Sequence, residues 1–182
     1  LFRSGSTSDN KPYTGDTLSV GGTAAGTYAS ANAGSGIAIT VTGNTLGGAD
    51  ASNYSLAQQT GLTANITPKA LTAQGTLSGG SKTYDATTTA TPTGSAALQT
   101  SEAPGAGSTS DGKYYTGDTV SLTGTAAYNF NSKDVLTATT ITESGLSLTG
   151  AEASNYTLTA PTLTASISPK ALTAQGTLSG GN

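Results

Sequence analysis

The sequence predicts an all-β protein built from tandem antiparallel β-sandwich domains of about 101 residues, arranged end to end. Three observations support this prediction. Apolar and polar residues alternate over short runs, which is typical of half-buried strands. Thr makes up about one residue in five and there are 25 Gly, a composition that favours strands and turns over helices. A long stretch of sequence also occurs twice.

The repeat defines the domain organisation. The segment "PKALTAQGTLSGG" occupies residues 68–80 and again residues 169–181, and "GSTSDNKPYTGDTLSV" at residues 5–20 corresponds to "GSTSDGKYYTGDTVSL" at residues 107–122. This period exceeds that of solenoid repeats and matches the size of an independent domain. We therefore expect three parts: the C-terminal part of a preceding repeat (residues 1–66), one complete repeat (67–168) and the first strand of a following repeat (169–182).

Alternation predicts seven or eight short strands per repeat. In "LTASI" it places Leu163, Ala165 and Ile167 on one face. A Gly kink at Gly75 allows one strand to carry three inward residues, Leu71, Ala73 and Leu77. Other predicted inward positions are Leu18, Val20, Ile37, Ile39, Val41, Leu62, Ala64, Ile66, Val120, Leu122, Leu146, Leu148, Tyr156 and Leu158. The equivalent aromatics Tyr28 and Phe130, and Tyr54 and Tyr156, are predicted to lie in the core or at its rim.

Three segments carry a family resemblance. They are "ITPKALTAQGTLSGGSKTYDATT", "TGDTVSLTGTAAYNF" and "LTGAEASNYTL". Together they resemble the YDG-type, MBG-related tandem repeat of bacterial filamentous surface adhesins, although Ala86 stands where the family usually has Gly. The family motif falls on Pro68, Lys69, Leu71, Lys82, Tyr84, Asp85, Asn155 and Tyr156. The resemblance implies a mostly β, β-grasp-like stalk domain of a secreted protein, without an activity of its own, as the alternative to a β-sandwich.

The connection at residues 99–115 is longer than the family usually has, and we expect an exposed loop or an extra hairpin there. Tyr114 and Tyr115 lie at its end. Exposed aromatics beside polar side chains are typical of carbohydrate sites, so these two tyrosines are the candidate ligand contacts. A structural role for the pair is the alternative.

The residue inventory argues against an enzyme. The chain has no His and no Cys, which removes the commonest general base and the best nucleophile. We predict no cofactor and no metal site: Asp9 with Asp16, Asp111 with Asp118, and Asp85 lack calcium-loop spacing and are expected to form turns. A Lys–Asn isopeptide crosslink would require Lys82, Asn155 and Glu152 to lie together.

The charge pattern limits the partners. The net charge is −3 and the seven basic residues are scattered, so we predict no nucleic-acid binding. No apolar run is long enough to predict membrane insertion of this segment. Because the chain starts at Leu1, we expect a fragment or a processed product, and the family resemblance implies an extracellular or cell-surface protein.

These observations predict a structural stalk or shaft repeat of a secreted bacterial adhesin or extracellular filament, whose partners are copies of itself end to end. Two alternatives remain open. One is a filament subunit that polymerises by donor-strand exchange, because residues 1–66 lack the strand that residues 169–182 supply. The other is an adhesin module that binds carbohydrate, including surface glycans, or protein.

Overall fold

The computed structural model describes residues 7–176. The chain divides into two compact units, Leu1–Ile66 (unit 1) and Thr67–Asn182 (unit 2). Strands dominate both units. The helical structure within the described residues consists of two single 3-10 turns, Ala51–Asn53 and Ala153–Asn155, at the two copies of "ASN". The predicted all-β class is therefore confirmed.

Unit 1 contains one antiparallel sheet of three strands in the order β1-β2-β3. The strands are β1 (Ser19–Tyr28), β2 (Gly34–Gly47) and β3 (Leu62–Ile66). In β3, half-buried residues alternate with exposed ones, and the half-buried ones are the predicted Leu62, Ala64 and Ile66.

Unit 2 contains seven strands within the described residues. They are β4 (Lys69–Thr72), β5 (Lys82–Thr83), β6 (Ser121–Phe130), β7 (Thr140–Thr149), β8 (Tyr156–Thr159), β9 (Thr162–Thr164) and β10 (Ile167–Ser168). Strands β6, β7 and β9 form an antiparallel sheet, whereas β4 pairs with β8, and β5 with β10, in parallel. The sequence predicted antiparallel domains, and the structure adds two parallel pairs to the antiparallel sheets. Alternation fixes which side chains share a face but carries no information on strand direction.

The β1–β2 and β6–β7 hairpins are copies of each other, including a register shift after Gly22 and after Gly124. Gly124 has a φ of +97°, and a Cβ there would lie 2.2 Å from the carbonyl oxygen of Gly145. The bulge therefore requires glycine at this position.

The core of unit 2 lies between the antiparallel sheet and the segments that precede it. Its buried cluster comprises Leu77, Ala90, Phe130, Ala138, Ile141, Leu163, Ala165 and Ile167. Leu71 and Ala73 are also fully buried, so the predicted inner faces of these strands are confirmed. The predicted kink is present: Gly75 has a φ of +51°, and a Cβ there would lie 2.2 Å from the carbonyl oxygen of Ser95.

One inward prediction is wrong. Val20 is 68% exposed, because it lies in the wall of an open groove in unit 1. The other predicted inward residues of the two hairpins, Leu18, Ile37, Ile39, Val41, Val120, Leu122, Leu146 and Leu148, are half-buried.

The long connection is anchored at both ends. Residues 103–110 are exposed, but isolated bridges join Glu102 to Tyr115 and Leu71 to Gly112. It is thus an exposed loop that returns to β4, and the alternative of an extra hairpin is not observed among its residues.

Residues 169–176, predicted to begin a following repeat, are exposed and lie outside the strands, and the rest of that segment falls outside the described residues. Within residues 7–176, the structure contains no helix with the length and apolar character that a membrane span requires.

Candidate functional site: the first-strand site and its open copy

The first strand of unit 2 occupies a well-defined site. Strand β4 lies parallel to β8, with Lys69 opposite Tyr156 and Thr72 opposite Thr159. On its other edge, the backbone N–H of Thr72 donates to the carbonyl oxygen of Gly112. We call this position of β4, between β8 and residues 111–115, the first-strand site.

Lys69 anchors β4 within this site. Its ammonium group bonds the carboxylates of Glu102 and Asp111 and lies 4.4 Å from the ring centre of Tyr115. The residue is 8% exposed. Burial alone would lower the pKa of Lys69, but the bonds to Glu102 and Asp111 outweigh burial and raise this pKa to about 12. A charged lysine is therefore held under the returning loop.

Asp111 connects the loop to this lysine. Its Oδ1 accepts the backbone N–H of Lys113 at 3.0 Å, which is the geometry of an Asx turn. That backbone bond, together with Lys69, holds the pKa of the Asp111 carboxyl well below its usual range. Asp9 and Asp85 make the same turn with Lys11 and Thr87, as the sequence reasoning expected.

Tyr156 lies on the β8 side of the first-strand site. The hydroxyl of Tyr156 donates to Asp118 Oδ2 at 2.5 Å and accepts the backbone N–H of Tyr115 at 3.0 Å. Burial, followed by the bond to Asp118, raises the pKa of Tyr156 to about 12. The strongly bonded hydroxyl fixes the turn that carries the Tyr115 ring over Lys69.

Unit 1 contains the same walls around an open groove of about 830 Å³. Tyr54 donates to Asp16 at 2.5 Å and accepts the backbone N–H of Tyr13 at 3.0 Å, as Tyr156 does with Asp118 and Tyr115. Residues 54–57, the equivalents of β8, form no strand there. We call this cavity the unit 1 groove. It is lined by Thr7, Asp9, Asn10, Lys11, Pro12, Tyr13, Leu18, Ser19, Val20, Leu46, Asn53, Tyr54, Ser55, Leu56 and Ala57.

The motif around Lys82 forms a separate cluster. Its ammonium group bonds Asp85 Oδ1 at 2.8 Å, the carbonyl and hydroxyl oxygens of Thr87 at 2.9 Å, and the carbonyl oxygen of Thr89 at 2.8 Å. The bond to Lys82, with those from Thr87, lowers the pKa of Asp85 to about 2. Ala86 between them has a φ of +67°, a left-handed conformation that favours glycine.

The three sequence segments that carry the family resemblance fall on the Lys69 cluster, the Lys82 cluster and the β6–β7 hairpin. The YDG domain matches residues 4–61 and again residues 67–165. The chain belongs to the YDG domain family. No curated protein and no solved structure matches it significantly. The positive φ of Ala86 gives a physical reason why YDG domains usually carry glycine at that position.

The structure brings some of the predicted residues together. Lys69, Leu71 and Tyr156 meet in the first-strand site, which the exposed Pro68 precedes. Lys82 and Asp85 form the second cluster, and Tyr84 packs against the core. Asn155 ends a 3-10 turn.

The tyrosines proposed as ligand contacts are both half-buried. Lys69 covers the face of Tyr115, and the carbonyl oxygen of Tyr114 accepts the backbone N–H of Glu102. This placement favours the structural role for the pair, and ligand binding stays an untested prediction.

The isopeptide candidates are bonded elsewhere. Lys82 is bonded as described above, and Glu152 accepts the backbone N–H of Thr119 at 2.7 Å. The structure instead places Lys69 against Glu102 and Asp111, which the sequence reasoning missed. The available signal was that both Lys69 and Asp111 recur in the other copy, as Lys170 and Asp9.

Proposed function

We propose that this chain is a load-bearing structural segment: YDG repeats that form the stalk or shaft of a secreted bacterial adhesin or extracellular filament. The supporting observation is the parallel pairing of the beginning of unit 2 with its end, in β4–β8 and β5–β10.

Parallel pairing of this kind suits a domain that carries tension. When a force separates Thr67 from Ser168, β4 is drawn toward its N-terminal end while β8 is held toward its C-terminal end. The backbone hydrogen bonds between Lys69–Thr72 and their partners in β8 are then loaded together, in shear. An antiparallel pair at the ends would instead open one bond after another.

The Lys69 cluster strengthens the same contact. The bonds from Lys69 to Glu102 and Asp111 tie the first residue of β4 to the returning loop, so the strand is fastened at the point where tension enters. The structural role requires no catalytic group, and it agrees with a chain that carries no His and no Cys.

The test is force spectroscopy on the whole chain, tethered at its two ends. Extension of about 100 residues lengthens the chain by roughly 30 nm, which identifies the event in which unit 2 unfolds. Ala70→Pro fixes φ near about −65° in the middle of β4, which distorts the strand beside its β8 partners and should lower the force of this event markedly.

Leu148→Ala is the matched control. It loosens the β6–β7 hairpin, which lies outside the loaded pair. If both variants lose the same free energy of unfolding in denaturant, only Ala70→Pro should lower the unfolding force strongly. Equal forces for the two variants would remove the mechanical argument for a stalk.

A further inference from the structure

Lys69 is enclosed by the groups that an amide-forming reaction requires. Its Nζ bonds the Glu102 carboxylate and lies 3.0 Å from Asp111 Oδ1. The ring of Tyr115 covers the amine, with its centre at 4.4 Å. The side chains of Lys69 and Glu102 are 6% and 11% exposed. An amine nucleophile, a carboxyl electrophile and a second carboxyl group that can carry protons therefore lie together, largely shielded from water.

The other two Lys–Asp pairs of the described residues lack this environment. Lys82 lies 2.8 Å from Asp85 and Lys133 lies 2.9 Å from Asp134, so distance alone does not distinguish the pairs. The two Asp side chains are 52% and 63% exposed. Neither lysine has a second carboxylate within ion-pair distance in the part of the chain that the structure describes. The combination of burial with a second carboxyl group thus sets Lys69 apart.

Asp111 is arranged to act as the electrophile. Its Oδ1 accepts the backbone N–H of Lys113 at 3.0 Å, so a donor already faces the oxygen that becomes negative when an amine attacks the carboxyl carbon. The Glu102 carboxyl bonds the Asp111 carboxyl, which requires a proton between the two groups. A Cβ at Gly107 would lie 2.0 Å from Glu102 Oε2 and 2.9 Å from Asp111 Oδ2, so the loop backbone closes over both carboxyls.

We propose that unit 2 forms an internal amide bond between Lys69 Nζ and Asp111 Cγ, with Glu102 as the proton carrier. The ammonium group first passes one proton to the carboxyl pair, and the free amine attacks Cγ. Glu102 then accepts a second proton from the nitrogen and delivers a proton to Asp111 Oδ2, which leaves as water. A C–N bond forms, a C–O bond breaks, no other reactant takes part, and Glu102 regains its starting protonation.

Two effects favour this reaction within the fold. Contact between the two groups corresponds to an effective concentration of about 10⁵ M or more, which offsets the unfavourable condensation of free amines and carboxylates in water. The product is neutral, so the bond also removes the desolvation cost of a buried ion pair.

The reaction is slow, because the raised pKa of Lys69 keeps most of the amine protonated at neutral pH. The ion pair is therefore the form of the freshly folded chain, and the amide accumulates with time. Lys69 titrates only until the bond has formed.

The bond is independent of the stalk proposal, because it forms without force. Once Lys69 and Asp111 are joined, residues 70–110 lie outside the path of the force, so unfolding of unit 2 lengthens the chain by less than the full repeat. Lys69→Arg keeps the positive charge but cannot form the amide, and it should retain the full extension. The pulling experiment in the Lys69→Arg chain therefore tests the stalk proposal alone.

The test is the denatured mass of the whole chain, followed over several days at neutral pH below the unfolding temperature. The wild-type mass should fall by one water molecule, and protease digestion should release a branched peptide that joins Lys69 to Asp111. A sample kept unfolded in urea, in which the groups are apart, should retain its full mass. A folded wild-type chain that retains its full mass throughout would overturn the proposal.

Two variants separate the amide from another loss of water. Asp111 precedes Gly112, and an Asp–Gly pair can also lose water by closing a ring with its own backbone. Lys69→Arg should retain its full mass, and an equal loss of water in this variant would assign the loss to the backbone ring and overturn the proposal. Lys82→Arg is the matched control in a more exposed pair and should condense like the wild type.

Glu102→Gln tests the proton carrier. Glutamine has nearly the same size and still forms hydrogen bonds, but it cannot carry the proton, so condensation should slow by about a hundredfold or more. Hydrogen exchange of the β4 amides checks that the variant is folded. An unchanged rate would overturn the role of Glu102, and a wild-type peptide that joins Lys69 to Glu102 would overturn the assignment of Asp111.

Discussion

The two copies of the hairpin in this chain have nearly the same strands but very different surroundings. Phe130 is 4% exposed in unit 2, whereas its equivalent Tyr28 is 46% exposed in unit 1. Ile141 is fully buried and its equivalent Ile39 is half-buried. The difference arises because Leu77 and Ala90, which complete the core around Phe130, have no equivalents within residues 1–66. The β6–β7 hairpin therefore acquires its core from the segment that precedes it in the repeat.

The comparison is tested most strongly by removing the aromatic from each copy. Phe130→Ala should lower the free energy of unfolding of unit 2 by about 3–5 kcal/mol, because it leaves a cavity in a closed core. Tyr28→Ala should cost unit 1 less than about 1 kcal/mol. Native-state hydrogen exchange of the amides in β1–β2 and β6–β7 measures each unit separately. Equal losses in both units would contradict the structural difference.

Lys69 and Lys170 provide the next comparison. Lys69→Ala leaves two partly buried carboxylates without their cation, and we expect a loss of about 2–3 kcal/mol in unit 2. Lys170→Ala alters an exposed residue and should leave the stability of the dilute single chain unchanged. Urea denaturation of both variants checks this; a similar loss for the two lysines would argue against the Lys69 cluster.

Alkaline pH should separate the copies further. Lys69 and Tyr156 both have pKa values raised to about 12, above their ordinary 10.5 and 10.0. The stabilisation they provide is complete below about pH 10 and is lost as the pH rises toward 12. Urea titrations at several pH values should show this decline for unit 2. Lys69→Arg keeps a charge that does not titrate in this range, so it should remove the lysine part of the decline.

The smallest effect concerns the YDG motif itself. Ala86→Gly should stabilise unit 2 by about 1 kcal/mol, because glycine adopts the observed φ of +67° without steric cost. Thermal unfolding would register a small rise in Tm. A second substitution, Ala126→Gly within β6, serves as the control and should instead destabilise the unit.

The sequence predicts the inward-facing residues of this fold, but not the pairing of strands that are far apart in the chain. The alternation that selects Leu163, Ala165 and Ile167 is local, and the structure buries all three. The pairing of β4 with β8 and of β5 with β10 joins segments far apart in sequence, which alternation cannot specify.

The partners of Lys69 in the candidate site could not be predicted for the same reason. Lys69 was identified as a motif residue, but its carboxylate partners lie across the long connection, where nothing local marks them as partners. Leu71 is buried and its equivalent Leu172 is exposed, although their flanking sequences are identical. This difference in burial therefore depends on the tertiary environment alone.

The pairing of β4 with β8 also determines when the domain can fold. Lys69 can pair with β8 only after Tyr156 has left the ribosome, so nearly the whole repeat must be synthesised before its first strand can dock. Contacts so distant along the chain slow folding. Residues 169–176, identical in sequence to residues 68–75, emerge soon after β8 and compete with β4 for the same place. Strand swapping between adjacent copies is therefore the characteristic folding error expected of such an array.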